Sequence, residues 1–213
     1  MTTRVRLTYE DYAALPDDGR RYELHEGELS VTPSPGLDHQ DILGNLFVIL
    51  RGHVNARGLG KVFFASVDCI LDNITVVQPD LVFVETARLS VMSQRGIEGA
   101  PTLAVEVISP SSVGIDRRRK LQLYARYAVP YYWIVDPPAR TIEAHQFAQG
   151  QYREAGTLSG TTSASLPPFP DLILDPERSS SGSEGHLTLD SVWKVGHSPA
   201  GFVVVSCGES DGC

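Results

Sequence analysis

The sequence predicts a single α/β domain over roughly residues 1–177. Two observations favour this class. Short segments rich in Val, Ile and Phe, typical of strands, alternate with stretches whose apolar residues recur at helical spacing. The chain of 213 residues is also long enough for one sizeable hydrophobic core and hardly long enough for two.

The N-terminal part predicts a short helix, a hairpin and a long helix. Thr8 is a suitable N-cap for the segment TYEDYAALP, and Pro16 would end that helix. The segment RYELHEGELSV carries apolar residues on both sides of a Glu-Gly turn, which predicts a hairpin. Residues 38–57 then place apolar side chains on one helical face. These are Ile42, Leu43, Leu46, Ile49, Leu50 and Val54.

Strands dominate the middle of the predicted domain. The segments KVFFASVDCIL, ITVVQPDLVFV and TLAVEVIS are strand-like and are separated by turn-forming residues. A helix is predicted from about Ile115 to Tyr127, ended by the Val129-Pro130 pair. Further strands are predicted for YYWIVD, RTIEAHQF and QYREAG, a polar loop for GTLSGTTSAS, and the end of the ordered domain for LPPFPDLILDP.

Residues 178–213 differ in composition from the domain before them. The segment RSSSGSEG is typical of a flexible link, and the extension beyond it has no clear structural pattern. The three cysteines, Cys69, Cys207 and Cys213, do not make a disulfide framework. The histidines and cysteines of the tail are too widely spaced for the usual zinc patterns.

Charge and hydropathy limit the classes of partner. The formal net charge of −8 argues against a protein that coats nucleic acid by bulk electrostatics, but not against an enzyme with a local basic rim. No apolar run reaches the ~18 residues that span a bilayer, and the N-terminus lacks the apolar region of a secretory signal. A cytoplasmic protein without a membrane partner is therefore expected.

Two acidic residues interrupt apolar strand segments. Glu106 lies inside LAVEVIS, and Asp80 follows Pro79 at the start of LVFV. A carboxylate in a buried strand is costly to desolvate unless a cation or hydrogen bonds compensate it. Two such acids from neighbouring strands suit a divalent ion such as Mg²⁺. The alternatives are a buried salt bridge for Glu106 and a turn-forming or ion-paired role for Asp80.

The helix near Ile115 brings a lysine towards these acids. Its predicted buried stripe contains Leu121, Tyr124, Ala125 and Ala128. Lys120 lies at the edge of that stripe, so its side chain can reach back over the sheet, and Asp116 is spaced to pair with it. A lysine at the rim of a carboxylate–metal site can stabilise the charge that grows on a phosphate during hydrolysis. The alternative is a surface helix held by an Asp–Lys pair.

These segments together resemble a known family. The segments QPDLVFV, APTLAVEVISPSS and IDRRRKLQLYARYAVPYYWIVDP, in this order, resemble the Uma-two family of restriction-endonuclease-like proteins. RYELHEGEL and PSPGLDHQDILGNL also fit its pattern, so the resemblance covers roughly residues 6–177. The family belongs to the PD-(D/E)xK nuclease superfamily, which implies a restriction-endonuclease-like fold with a mixed central sheet flanked by helices.

The resemblance also implies site residues. Asp80 and Glu106 match the two metal ligands of the superfamily. The superfamily lysine usually follows two residues after the glutamate, where this chain has Ile108, and Lys120 matches the position to which the lysine has moved. Glu23 resembles a further acid of the site, although the hairpin pattern alone predicts that it is exposed. The last match is His39, for which a role at the helix start or in the core is the first expectation.

Two functional hypotheses follow. The first is an endonuclease that uses Mg²⁺ or Mn²⁺ to hydrolyse phosphodiester bonds of DNA, with Asp80 and Glu106 holding the metal and Lys120 assisting the attacking water or stabilising the transition state. A homodimer is one expectation, because enzymes of this superfamily often dimerise to cut two strands. The second is a catalytically silent nuclease fold retained for binding or assembly, since fold alone does not fix function.

Overall fold

The computed structural model of the protein describes residues 5–32, 34–108, 115–160 and 163–174. Three α-helices lie in these ranges: α1 (Tyr9–Ala13), α2 (Leu37–Arg57) and α3 (Ile115–Arg126). A 3-10 helix spans Thr86–Val91. Among those residues, no helix combines the length and the apolar character needed to cross a lipid bilayer.

The central sheet has six strands and is mixed. Its members are β3 (Gly60–Phe64), β6 (Leu81–Glu85), β9 (Leu103–Val107), β10 (Tyr131–Asp136), β11 (Thr141–Ala148) and β12 (Gln151–Ser159). They lie in the order β12-β11-β10-β9-β6-β3. Only β9 and β10 run parallel, and α3 is part of the connection between them. This sheet confirms the predicted α/β class.

A second sheet of six strands lies beside it. It contains β1 (Arg21–His25), β2 (Glu28–Thr32), β4 (Cys69–Asp72), β5 (Thr75–Val77), β7 (Met92–Ser93) and β8 (Gly96–Glu98), in the order β2-β1-β5-β4-β8-β7. A separate pair is formed by β13 (Ala164–Ser165) and β14 (Ile173–Leu174). The resemblance implied a mixed central sheet, and the second sheet is an addition to it. The second sheet combines the predicted hairpin, β1 and β2, with β4 and β5 and with the short strands β7 and β8. β4 and β5 arise because KVFFASVDCIL and ITVVQPDLVFV each divide into two shorter strands.

Two hydrophobic clusters cover the two faces of the central sheet. The first includes the apolar side of α2 and the odd-numbered side chains of the middle strands. Its members include Leu46, Leu50, Leu81, Val105 and Trp133. The second cluster includes α3, the even-numbered side chains and part of the second sheet. Its members include Cys69, Val77, Val82, Ala104 and Tyr124. The central sheet is therefore covered on both faces.

The local predictions agree with most elements and fail at two places. Thr8 caps α1 with a capping box, and α2 spans the predicted helix. The buried stripe of α3 contains Leu123 rather than Ala128, because the helix ends at Arg126 and Ala128 is exposed with a φ of 51°. The segment predicted as a polar loop begins as strand, since β12 continues to Ser159. The 178–213 extension lies outside the described residues.

Glycine substitutions in α2 should raise stability. Gly44 and Gly52 are exposed helix residues, and a β-carbon at either would meet no atom within 4 Å. Since Gly costs about 1 kcal/mol relative to Ala inside a helix, the double Ala variant should gain about 1–2 kcal/mol in free energy of unfolding, measured by urea denaturation. Gly60→Ala should instead destabilise the fold, because its β-carbon would lie 2.1 Å from the carbonyl oxygen of Val84.

Candidate active site

Asp80 and Glu106 lie on the same face of the central sheet. β6 and β9 are antiparallel, with Leu81 opposite Val105. Continuing this register by one residue places Asp80, directly before β6, opposite Glu106 on β9. Side chains two residues apart on a strand share a face. Asp80 is two residues from Val82, and Glu106 is two residues from Ala104, and both apolar residues pack in the cluster that includes α3. Asp80 and Glu106 therefore lie on the face covered by α3. The amide of Val107, the residue after Glu106, also donates to Oδ2 of Asp80 over 2.9 Å.

Asp80 is buried and surrounded by hydrogen-bond donors. Its exposed fraction is 3 %, and Nη1 of Arg21 donates to its Oδ1 over 3.0 Å. Nε2 of His39 lies 3.1 Å from its Oδ2, beside the Val107 amide. Burial acts to raise the pKa of Asp80, but His39, the Val107 amide and Arg21 outweigh it and lower the pKa. Asp80 is therefore an ionised carboxylate held in one orientation.

Glu106 shares a single oxygen between two donors. Nζ of Lys120 donates to Oε1 over 2.8 Å, and the hydroxyl of Tyr124 donates to the same oxygen over 2.6 Å. Burial raises the pKa of Glu106 to about 7, with further raising by Asp80 and Glu23 and an opposing effect of Lys120. Burial therefore favours the protonated form of Glu106 more than it would be favoured in an exposed glutamate.

Glu23 is buried, which corrects the prediction that this hairpin residue is exposed. Its exposed fraction is 2 %, because β1 lies between β2 and β5 rather than at the edge of the second sheet. Oε1 accepts from the amide of Gln78 over 2.8 Å and lies 3.5 Å from Nζ of Lys120, while Nε2 of His25 is 3.0 Å from Oε2. Burial opposes ionisation, but Lys120 and His25 lower the pKa of Glu23 to about 2.

Lys120 links two of the three acids. Its side chain, 18 % exposed, reaches back from α3 over the sheet and contacts both Glu106 and Glu23. Burial acts to lower the pKa of Lys120, but these two carboxylates outweigh it and raise the pKa, so the ammonium keeps its charge. The side chain of Asp116 lies outside the described residues, so its pairing with Lys120 stays a prediction.

The acids and the lysine line one cavity of about 570 Å³. Its lining residues come from β1, β2, the start of α2 and the first turns of α3. The central sheet contributes the residue before β6, the C-terminal end of β9 and one residue of β10. The structure thus brings all four predicted site residues together, and it adds residues that were not predicted in the site, among them Arg21, His25 and Tyr132. Sequence reasoning also missed the bond from Tyr124 to Glu106, although it placed Tyr124 in the core.

His39 lies in the site as well as at a helix start. It is in the first turn of α2, as expected, but its ring also contacts Asp80 and lines the cavity. The resemblance singled out His39 but did not predict this contact, because Asp80 is forty-one residues away along the chain. His39 therefore orients Asp80 and does not act only as a helix-start residue.

The donor set of the cavity suits a hard divalent cation. In the ranges that the structure describes, no three His, Cys, Asp or Glu side chains are grouped to hold a metal ion. Mg²⁺ does not need such a cage, because it is commonly held by one or two carboxylates and takes waters and substrate phosphates as its other ligands. The buried carboxylates of Asp80 and Glu106 meet this requirement.

The Tyr124 hydrogen bond should contribute measurably to stability. Tyr124→Phe is expected to lower the free energy of unfolding by about 2 kcal/mol, because a buried donor to a carboxylate contributes more than a neutral pair. Tyr152→Phe is the matched control, since its hydroxyl donates to the carbonyl oxygen of Val129 over 2.8 Å, and it should lose about 1 kcal/mol. Equal losses of unfolding free energy in the two variants, measured by urea denaturation, would contradict this prediction.

The fold and this cluster of acids and lysine place the protein in the class of restriction-endonuclease-like proteins. A family model for Uma2, described as "Putative restriction endonuclease", matches residues 9–177. The chain therefore belongs to the Uma2 family, the one that its motifs resemble. The match covers the strands and helices that build the cavity, from α1 through β14.

One solved structure supports the same fold. It is the crystal structure of a protein from Anabaena variabilis described as a "putative nuclease belonging to DUF820". It is 16 % identical to this chain, with a TM-score of 0.66, over 88 % of this chain and 97 % of that one. At this identity the likeness shows the fold alone. No curated protein matches the chain.

Proposed function

We propose that this chain is a metal-dependent endonuclease that hydrolyses phosphodiester bonds of DNA. The observation that carries the proposal is the pair of buried carboxylates, Asp80 and Glu106, on one face of neighbouring strands with the ammonium of Lys120 bonded to Glu106. Asp80 and Glu106 would hold Mg²⁺ or Mn²⁺. A cation bound there would supply an activated water and polarise the phosphoryl oxygen.

The other residues of the cavity would support this chemistry through fixed charge and orientation. Lys120 keeps its ammonium charged beside Glu106, where it can stabilise the negative charge that develops on the phosphate. Glu23 also contacts Lys120, with its Oε1 3.5 Å from Nζ. Arg21 and His39 fix the carboxylate of Asp80. Each of these groups is in place before a substrate arrives.

The cellular setting is part of the same proposal. DNA as the substrate fits a cytoplasmic protein, and a homodimer would place two such cavities for two strands. Light scattering of the purified protein at several concentrations would measure the oligomeric state. A monomer at all concentrations would argue for cleavage of one strand at a time.

The proposal is tested by a cleavage assay on purified protein. Duplex, single-stranded and branched DNA should each be incubated with Mg²⁺ or Mn²⁺, and with EDTA as the metal-free control. We expect cleavage of at least one substrate with metal and none in EDTA. A protein that cuts none of these substrates with either metal is not the proposed enzyme.

A second candidate function is a nuclease fold that binds but does not cut. It is favoured by one observation: the carboxylates of Asp80 and Glu106 already accept from Arg21, the Val107 amide, Lys120 and Tyr124. Calorimetric titration with Mn²⁺ separates the two candidates. Binding by the wild type that is lost in Glu106→Gln supports the enzyme, and no binding by either protein supports the silent module.

A further inference from the structure

The cavity differs in charge from the rest of the molecule. The whole chain has 18 Lys and Arg against 26 Asp and Glu. Among the described residues that line the cavity, four are Lys or Arg and three are Asp or Glu. An acidic protein therefore collects basic side chains at one concave surface, which is the pattern expected where a polyanion binds.

Three of these four basic residues are neutralised by acids within the fold. Arg21 pairs with Asp80, and Lys120 pairs with Glu106 and Glu23. Arg117 pairs with Glu143 on β11 and lies 3.9 Å from Asp136 at the end of β10. The pairs of Arg117 tie the first turn of α3 to the central sheet. These three cations hold the site in shape, and their charge is already compensated.

Arg119 is different from the other three. It lines the same cavity, its side chain is exposed, and it directly precedes Lys120 on α3. Within the described ranges it forms no salt bridge to a carboxylate. A planar guanidinium that is always charged and faces a cavity is suited to bidentate contact with a phosphodiester.

We infer that Arg119 binds a backbone phosphate of the nucleic-acid strand at the mouth of the cavity, beside the phosphate to be cut. This inference rests on the proposed function. A phosphate contact of this kind positions the strand and carries no sequence information. Arg119 would accordingly set affinity for DNA in general, with the charge supplied by this one exposed guanidinium and not by the acidic surface around it.

Arg118 provides a matched control. It is the neighbouring residue of α3, has the same side chain and is also exposed, but it does not line the cavity. Arg118→Ala and Arg119→Ala remove the same charge from the same helix turn. A general effect of net charge would therefore change both variants equally, whereas a phosphate contact in the cavity would change only Arg119→Ala.

The experiment measures binding apart from cleavage. The dissociation constants of a fluorescent DNA duplex and of its single strand are measured in EDTA at several salt concentrations, for wild type and both variants. We expect Arg119→Ala to weaken binding roughly tenfold at low salt and to reduce the salt slope by about one, with Arg118→Ala close to wild type. Arg119→Lys should restore the salt slope but only part of the affinity, because it keeps the charge and loses the planar fork.

Two different failures can be told apart. If the wild type binds and cuts DNA while Arg119→Ala and Arg118→Ala behave alike, the inference about Arg119 is wrong and the proposed function stands. If the wild type neither binds nor cuts DNA, the proposed function fails, and the inference fails with it. Thermal unfolding of the variants should match the wild type, since both side chains are exposed.

Discussion

Asp80→Asn should lower the rate of DNA cleavage by about a thousandfold, which corresponds to about 4 kcal/mol of transition-state stabilisation. The substitution keeps the size of the side chain and removes its negative charge. Asp80 is ionised and is one of the two carboxylates proposed to hold the cation. Single-turnover cleavage with Mn²⁺ measures the loss, and calorimetry should show that Mn²⁺ binding weakens with it.

Asp38→Asn is the matched control for this prediction. Asp38 is in the first turn of α2, one residue before His39, but its side chain is exposed and it does not line the cavity. Its cleavage rate and Mn²⁺ affinity should stay close to those of the wild type. If Asp80→Asn cleaves DNA at the wild-type rate and binds Mn²⁺ with unchanged affinity, Asp80 is not a metal ligand.

Asp80→Glu separates the loss of charge from the loss of structure. It keeps the carboxylate and lengthens the side chain by one methylene in a buried position. We expect it to retain more Mn²⁺ affinity than Asp80→Asn, even if packing lowers its stability by about 1 kcal/mol or more. Circular dichroism of all three proteins shows whether the fold is kept.

The long helix and the strong strands could be predicted because their signals are local. The apolar face of α2 repeats at helical spacing over about three turns, and its residues Ile42, Leu43, Leu46, Leu50 and Val54 are all buried. The second sheet could not be predicted in the same way. Its strands are two to five residues long, and runs of that length carry too few alternations to show which sheet they join.

Part of the candidate site could be predicted, because burying a carboxylate in a strand costs free energy. Glu106 was identified because a carboxylate inside an apolar strand needs compensation, and that reasoning requires no knowledge of distant residues. Glu23 gave no such signal, because polar and apolar residues alternate in RYELH, which is typical of a hairpin strand with its polar face exposed to water. Its burial is decided by β5, which pairs with β1 from more than fifty residues away along the chain.

The position of Lys120 has a structural reason. Ile108, where the PD-(D/E)xK pattern that the sequence resembles would place a lysine, is 9 % exposed and packs in the cluster that covers the α3 face of the sheet. Its amide donates to the carbonyl oxygen of Val135 over 2.9 Å. An apolar side chain therefore fills this position, and the ammonium reaches Glu106 from α3 instead. The charge is supplied from the helix without a change in the two strand carboxylates.

Glu106→Gln should change how stability depends on pH. In the folded protein the pKa of Glu106 is raised to about 7 from an ordinary value of 4.5, chiefly by burial. The protonated form is thus favoured by folding, so its stabilising contribution is complete below pH 4.5 and is lost as the pH rises through 7. Glutamine does not titrate, and the variant should lack this loss.

The expected effect is large. The difference between the two pKa values corresponds to about 3 kcal/mol, since one pKa unit is worth about 1.4 kcal/mol. Urea unfolding in EDTA at about pH 5 and about pH 9 should therefore show Glu106→Gln gaining on the wild type by up to about 3 kcal/mol at the higher pH. The contact with the Lys120 ammonium is already part of this shift, because Lys120 lowers the pKa of Glu106 against the effect of burial.

Glu98→Gln is the control for the pH comparison. Hydrogen bonds from Ser93 and Arg95 lower the pKa of Glu98, so this carboxylate is ionised from about pH 5 upwards in both the folded and the unfolded chain. The free energy of unfolding of Glu98→Gln should therefore differ from that of the wild type by the same amount at the two pH values. A flat difference for Glu106→Gln as well would mean that the pKa of Glu106 is not raised, and that Lys120 and Tyr124 keep this buried carboxylate fully ionised at neutral pH.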